Sequence, residues 1–227
     1  MSIIYVLIPI AIIIVAVAVV IFFWAVRSNQ FEDLDRQGYS ILFDDDLSYF
    51  FRVRIYDNKK FSVIDLGCGN GSQAHYIENQ FGNENNNIFD VTATDIVNVL
   101  EYDVKNFIID DALDSKLTKK YDIIVDRGLI HNLFHLKNKR HKYFEMIENI
   151  IHDESYIVLK VLSRYETRFN PVIHSGPYRF NEKQLMEFFS GFDFKCIELK
   201  DTFFYSNIQP HLRGYFSVYK KEGDINA

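Results

Sequence analysis

The sequence predicts an α/β domain built on a mostly parallel sheet, carried behind a single N-terminal membrane-spanning helix. Three observations predict this: an uncharged apolar run over residues 3–26, apolar strand-like runs alternating with helical stripes from Phe61 onward, and a glycine-rich turn closing the first of those runs.

From Ile3 to Val26 no side chain is charged, and only the Tyr5 hydroxyl is polar. About 20 apolar residues cross roughly 30 Å of hydrocarbon, so the run is long enough to span. The helical rise sets Tyr5 and Trp24 about 28 Å apart, at the two depths where amphipathic rings settle. Pro9 lies near the outer end, where a lost backbone hydrogen bond is easier to satisfy. A cleaved secretory signal carries its basic residues ahead of a shorter apolar stretch, with small residues at the cleavage site. Here the first basic residue is Arg27 and the run ends in Phe22, Phe23 and Trp24, so an uncleaved anchor is expected. Arg27 and Arg36 follow the span and nothing basic precedes it. That bias places the bulk of the chain on the cytoplasmic side of the inner (cytoplasmic) membrane, with the N-terminus outside.

The 227 residues carry a net charge of −6. Residues 1–46 hold two arginines against six acids, giving −4, and the remainder carries −2. A nearly neutral domain argues against nucleic acid as a partner. Cys68 and Cys196 have no neighbour at metal or redox spacing, so no metal site is expected, and two lone thiols suit a reducing compartment. The expected division is 1–46 anchor and juxtamembrane segment, 47–60 linker, 61–221 soluble domain and 222–227 tail.

Within the domain, Phe61–Leu66 reads as a buried strand and Ser72–Phe81 as a helix with Ala74, Ile77 and Phe81 on one face, closed by Gly82. Phe89–Thr94, Asn106–Ile109, Tyr121–Val125 and Tyr156–Leu162 read as further strands. Tyr143, Phe144, Ile147, Ile150 and Ile151 form a helical stripe between the last two. Asn181, with Gln184 three residues on, predicts a capping box opening a helix through Phe189. Phe194–Leu199 and Tyr215–Lys220 finish the chain as two strands. Asn85 to Asn87 read as a loop, and the basic run Lys137–Lys142 as a solvated helix end or a contact for lipid headgroups.

The chemistry begins at Asp65-Leu-Gly-Cys-Gly-Asn-Gly71. Gly67, Gly69 and Gly71 follow a strand and open a helix, where backbone without Cβ atoms turns sharply and approaches a ligand closely. A dinucleotide dehydrogenase would place its third glycine at position 72, which is Ser, and the Gly-Lys-Ser/Thr of a phosphate loop is absent. Asp95 ends the second strand, where a carboxylate can accept both hydroxyls of a ribose, or simply cap a helix. The acid-x-Gly-x-Gly-x-Gly form resembles motif I of class I S-adenosylmethionine (AdoMet)-dependent methyltransferases. That resemblance implies a Rossmann-like class I domain with an antiparallel last strand. It also implies an AdoMet site at Asp65, Gly67, Gly69, Gly71, Asp95, Asp111 and Ala112, the last two near the adenine amine; Asp110 competes with Asp111 for that role.

The run Asp126-Arg-Gly-Leu-Ile-His131-Asn-Leu, with Gly176–Phe180 and Asp201–Phe204, resembles small-molecule methyltransferases of the thiopurine and tellurite-resistance type, over about residues 61–221. Their active-site mouth follows this strand, which makes His131 and Asp126 candidate bases toward a small-molecule acceptor; a hydrogen-bonded core histidine is the competing reading of His131. Residues 22–35 and 41–46 resemble the CcoS-type family, single-span proteins that assist maturation of cbb3-type cytochrome c oxidase, with Asn29 where Gly is expected. This implies contacts with oxidase subunits. Only residues 47–60 stand where the methyltransferase group carries a longer helical lid. The alternatives are therefore an oxidase-maturation factor with an inactive domain, or a nucleotide-binding module with another ligand.

Overall fold

The computed structural model describes residues 45–54, 59–81, 88–167, 177–204 and 211–221, together with residues 8, 14, 15, 17 and 19. Most of the expected span and of the juxtamembrane segment, together with Gly82, Asn85 to Asn87 and Gly176, lies outside the described residues. Among the described residues no helix is long and apolar enough to cross a membrane. The chain divides into two compact units, 1–42 and 43–227.

The second unit is one seven-stranded sheet with helices on both faces. In chain order its elements are α1 (Asp45–Arg54), β1 (Phe61–Leu66), α2 (Ser72–Phe81), β2 (Phe89–Asp95), β3 (Asn106–Ile109), β4 (Ile123–Arg127), α3 (Leu129–Leu133), α4 (Arg140–Ile150), β5 (Tyr156–Leu162), α5 (Glu182–Met186), β6 (Phe194–Phe204) and β7 (Leu212–Lys221). The strand order is β3-β2-β1-β4-β5-β7-β6. β7 runs antiparallel to both β5 and β6, and the other pairings are parallel. The order reverses between β1 and β4, and in open α/β sheets the crevice at such a reversal, at the carboxyl ends of the strands, is where ligands bind.

Pleating divides the strand residues between two cores. Ile64, Leu66, Ile124, Ile157 and Leu159 pack with Tyr143, Met146, Ile147 and Ile150 of α4 and with Leu185 of α5. The opposite face is covered by α1 and α2. Leu47, Phe50 and Phe51 recur at helical spacing and are buried, and Phe51 meets Phe81 at 5.8 Å and Phe89 at 5.0 Å between ring centroids. Arg52 and Arg54 sit in the last turn of α1, where cations suit the helix dipole, and the Arg54 guanidinium lies 3.5 Å from the Phe50 ring centroid. The helix crosses the position expected between juxtamembrane segment and linker: Asp46 pairs with Lys200 at 3.0 Å and accepts from the Thr202 hydroxyl. Alternating apolar side chains betrayed the strands; Leu47-Ser-Tyr-Phe-Phe is too short a run to announce a helix.

Several boundaries differ from expectation. The fourth strand runs over 123–127 rather than 121–125, because Tyr121 and Asp122 bond Ile150 and Ser62 from outside the ladder. The last two strands extend to 204 and begin at 212, forming one long hairpin. The capping box at Asn181 and Gln184 forms as expected, yet α5 ends at Met186 and a 3-10 turn over Ser190–Phe192 follows.

Candidate functional site

The glycine loop leaves β1 at the order reversal. Gly71 stands at φ +82°, and a Cβ there would lie 2.6 Å from Leu100 Cδ2, so only glycine fits. At Gly69 a Cβ would meet nothing within 4 Å, which leaves the loop's outer side open for a ligand. Asp95, at the end of β2, accepts the Gly69 N–H at 2.9 Å, and the Asn70 carbonyl accepts from Glu101 and Tyr102. The loop, Asp65 and Asp95 are thereby brought together.

Two adjoining cavities open from this point, sharing Gly67, Asp95 and Leu129. The smaller, about 100 Å³, is walled by Ile96, Ala112, Leu133 and Met146 with Asp110 and Asp111 at its polar end. The larger, about 470 Å³, reaches past Arg127, His131 and Asn132 to Leu162, Phe204 and Leu212. Asp111 accepts from Leu113 N–H and Asp110 from Lys116 N–H, so each closes a turn while lining the slot.

Asp65 is buried, and Gln73 Nε2 donates to its Oδ1 at 2.7 Å, while its Oδ2 is buried with no hydrogen-bond partner among the described residues. Burial raises its pKa to about 7 against the pull of the nearby Arg127 charge. An orphaned carboxylate oxygen beneath a glycine loop suits an ammonium group. Cys68 lies in the loop, but burial pushes its thiol up to about 12, so it is no nucleophile at neutral pH.

Both expected bases are otherwise engaged. Asp126 is fully buried at the end of β4. Its Oδ1 accepts from Gly128, Leu129 and Ile130 N–H at 2.8–3.2 Å, and its Oδ2 accepts from Ile130 N–H and the Tyr143 hydroxyl. Burial raises its pKa to about 6, and those donors restrain the rise. The carboxylate is thus the anchor that starts α3, a short helix that the sequence did not announce, and not a base facing the cleft.

His131 does reach the larger cavity, but its Nδ1 accepts the Leu162 N–H at 3.3 Å. A neutral imidazole with Nδ1 as acceptor carries its proton on Nε2. Burial lowers its pKa to about 4, so the ring is neutral at physiological pH. His131 therefore presents an N–H donor rather than a base. Gly128, at φ +105°, makes room for it: a Cβ there would lie 3.2 Å from the imidazole Cε1.

Two further charged side chains near the cleft carry no motif of their own. Arg127 and Lys160 are register partners on β4 and β5. Lys160 as the one charge in the run Tyr156–Leu162, and Arg127 beside Asp126 at the end of Ile123–Arg127, were the signals available.

The strand order, the terminal hairpin and the glycine turn at the reversal define a Rossmann-like methyltransferase fold. Sequence-family comparison agrees: the family described as methyltransferase domain matches residues 36–197, and the chain belongs to it. A second family, cytochrome oxidase maturation protein of cbb3 type, matches residues 2–45. Comparison with curated proteins finds no match. A SAM-dependent methyltransferase from Methanosarcina mazei is similar in structure, with TM-score 0.57 and 12% identity over 76% of this chain and 97% of that one. An S-adenosylmethionine-dependent methyltransferase from Clostridium acetobutylicum gives 0.56 and 13% over 88% and 99%. TehB from Haemophilus influenzae gives 0.52 and 15% over 76% and 61%. These likenesses are of fold.

Proposed function

We propose that the chain is a membrane-anchored AdoMet-dependent methyltransferase acting on a small molecule, with an N-terminal segment that serves cbb3-type oxidase assembly. The observation that carries the enzymatic half is the arrangement at the order reversal: the glycine loop and Asp95 meet where two cavities join, with Asp65 buried two residues before the loop. The residues fit the cofactor. The slot between Ile96, Ala112, Leu133 and Met146 suits an adenine ring, Asp95 two ribose hydroxyls, and the orphaned oxygen of Asp65 the α-ammonium of the methionine tail. AdoMet when bound supplies a methyl group already activated on a sulfonium.

The protein's part is then alignment and exclusion of water, a proximity effect. Leu162, Phe204 and Leu212 wall the larger cavity, which receives the acceptor, and His131 offers it an Nε2–H donor. With His131 and Asp126 both engaged, an acceptor that reacts without surrendering a proton to the protein fits best.

Anchoring rests on the apolar run of residues 3–26 and on the match to the oxidase-maturation family. Ile8, Ile14, Val15, Val17 and Val19 are helical aliphatics whose side chains are exposed, as lipid-facing residues are. Arg27 and Arg36 favour a cytoplasmic domain, where AdoMet is made.

Titrating AdoMet into the full chain in detergent micelles tests the enzymatic half. Binding is expected, and Asp95→Ala should weaken it about ten- to a hundredfold, the worth of one or two charge-assisted hydrogen bonds. No heat of binding at millimolar AdoMet would leave the maturation segment as the functional part.

A further inference from the structure

Arg127 closes β4 at the rim of the larger cavity, and its register partner on β5 is Lys160. Both approach one ring: the Arg127 guanidinium carbon lies 5.7 Å and the Lys160 amine 5.2 Å from the centroid of Phe204. Like charges on paired positions of neighbouring strands repel, and Lys160 is buried away from the water that would screen it, while Arg127 is half-buried. The Lys160 amine donates to the Phe203 carbonyl at 2.6 Å, which fixes it in place. Asp65 pairs with Val125, two residues before Arg127, and so faces the same side of the sheet. Arg127 and Asp65 feel one another electrostatically, yet each keeps a buried atom, Arg127 Nε and Asp65 Oδ2, without a hydrogen-bond partner among the described residues. Opposite charges that served only each other would close that gap. Buried polar groups left unmade are costly, and Arg127 on the cavity lining, with a buried carboxylate of opposite sign two residues before Gly67, describes a receptor for a zwitterion.

We infer that Arg127 binds the α-carboxylate of the AdoMet methionine tail, while Lys160, held by Phe203, adds positive charge beside it. The inference rests on the AdoMet reading and adds to it the residue that recognises the anionic end. A guanidinium matches a carboxylate in two parallel hydrogen bonds, and the neighbouring orphan of Asp65 complements the ammonium on the same carbon. An anionic acceptor would offer similar chemistry to Arg127, and the test separates the two sources.

Calorimetry on the full chain in micelles uses three ligands. S-adenosylhomocysteine carries both tail charges, decarboxylated AdoMet the amine alone, and 5′-methylthioadenosine neither. Arg127→Gln is expected to weaken S-adenosylhomocysteine about ten- to a hundredfold, as a charged hydrogen-bond pair is lost. It should leave the other two ligands unchanged, which also shows that the variant is folded. Arg127→Lys should recover part of the loss as a point charge.

Unchanged S-adenosylhomocysteine affinity in Arg127→Gln overturns the inference. So does an equal loss across all three ligands, which would make Arg127 a structural residue. Benzoate is the probe for the other source. If it binds the wild-type chain saturated with S-adenosylhomocysteine but not Arg127→Gln, while S-adenosylhomocysteine affinity holds, the guanidinium serves the acceptor and the inference falls. Failure of the wild-type chain to bind any of the three ligands defeats the cofactor reading itself.

Discussion

Single residues at the cleft divide by whether their job is written in their identity. The sharp turn at the three glycines and the strand-end position of Asp95 were legible because both follow from residue type and spacing. The roles of Asp126 and His131 were not, because they depend on donors that come from elsewhere in the fold: Tyr143 from α4, and Leu162 N–H from the end of β5. The tautomer of His131 yields a test. In the unfolded chain this ring takes a proton below about pH 6.5; in the fold it does so only near 4. The stability it contributes is therefore fully present above 6.5 and lost as the pH falls toward 4. The loss is about 3 kcal/mol, since each pH unit between those two values is worth about 1.4 kcal/mol. Asp65 and Asp126, whose pKa values are raised, act in the opposite sense but are common to wild type and variant, so they cancel in the difference. His131→Asn keeps an oxygen to accept from Leu162. Urea unfolding of both proteins at pH 7.5 and about pH 4 should show the variant gaining on wild type by roughly 2–3 kcal/mol as the pH drops. A difference independent of pH would show that the imidazole is not buried and neutral.

Among the elements, strands and long amphipathic helices were readable from periodicity, to within a few residues at their ends. α1 was not, since ten residues with three core positions give too little pattern. Its place in the fold is nonetheless fixed by aromatic packing: Phe51 is fully buried between Phe81 and Phe89, and Phe50 meets Tyr156 at 5.9 Å. Phe51→Ala should cost about 3–5 kcal/mol, the usual penalty for emptying a buried phenylalanine site. Denaturant unfolding of the full chain should then show a lower midpoint with an unchanged slope. A cost below about 1 kcal/mol would mean that α1 is peripheral to the domain's stability.

At the scale of the whole molecule, two family patterns share one chain and overlap over residues 36–45. If the two activities are independent, a chain ending after Asp46 should support cbb3-type oxidase maturation as well as the complete protein does. Gly69→Arg, which adds bulk to a loop residue at φ +57°, should leave maturation intact too. Oxidase activity and haem content in membranes of a strain lacking its own maturation factor are the readouts. Loss of maturation in either variant, with insertion preserved, would tie the soluble domain to assembly. The position of α1 bears on how such a protein can be taken apart and recombined. The acidic triplet Asp44, Asp45 and Asp46 reads as the end of one sequence family, yet helix α1 begins at Asp45, and Asp46 ties that helix to Lys200 and Thr202 of β6. A portable methyltransferase cassette must therefore be severed ahead of Phe43, where the compact unit starts. An exchange of cassettes at residue 46 would leave the start of that helix on the wrong gene product.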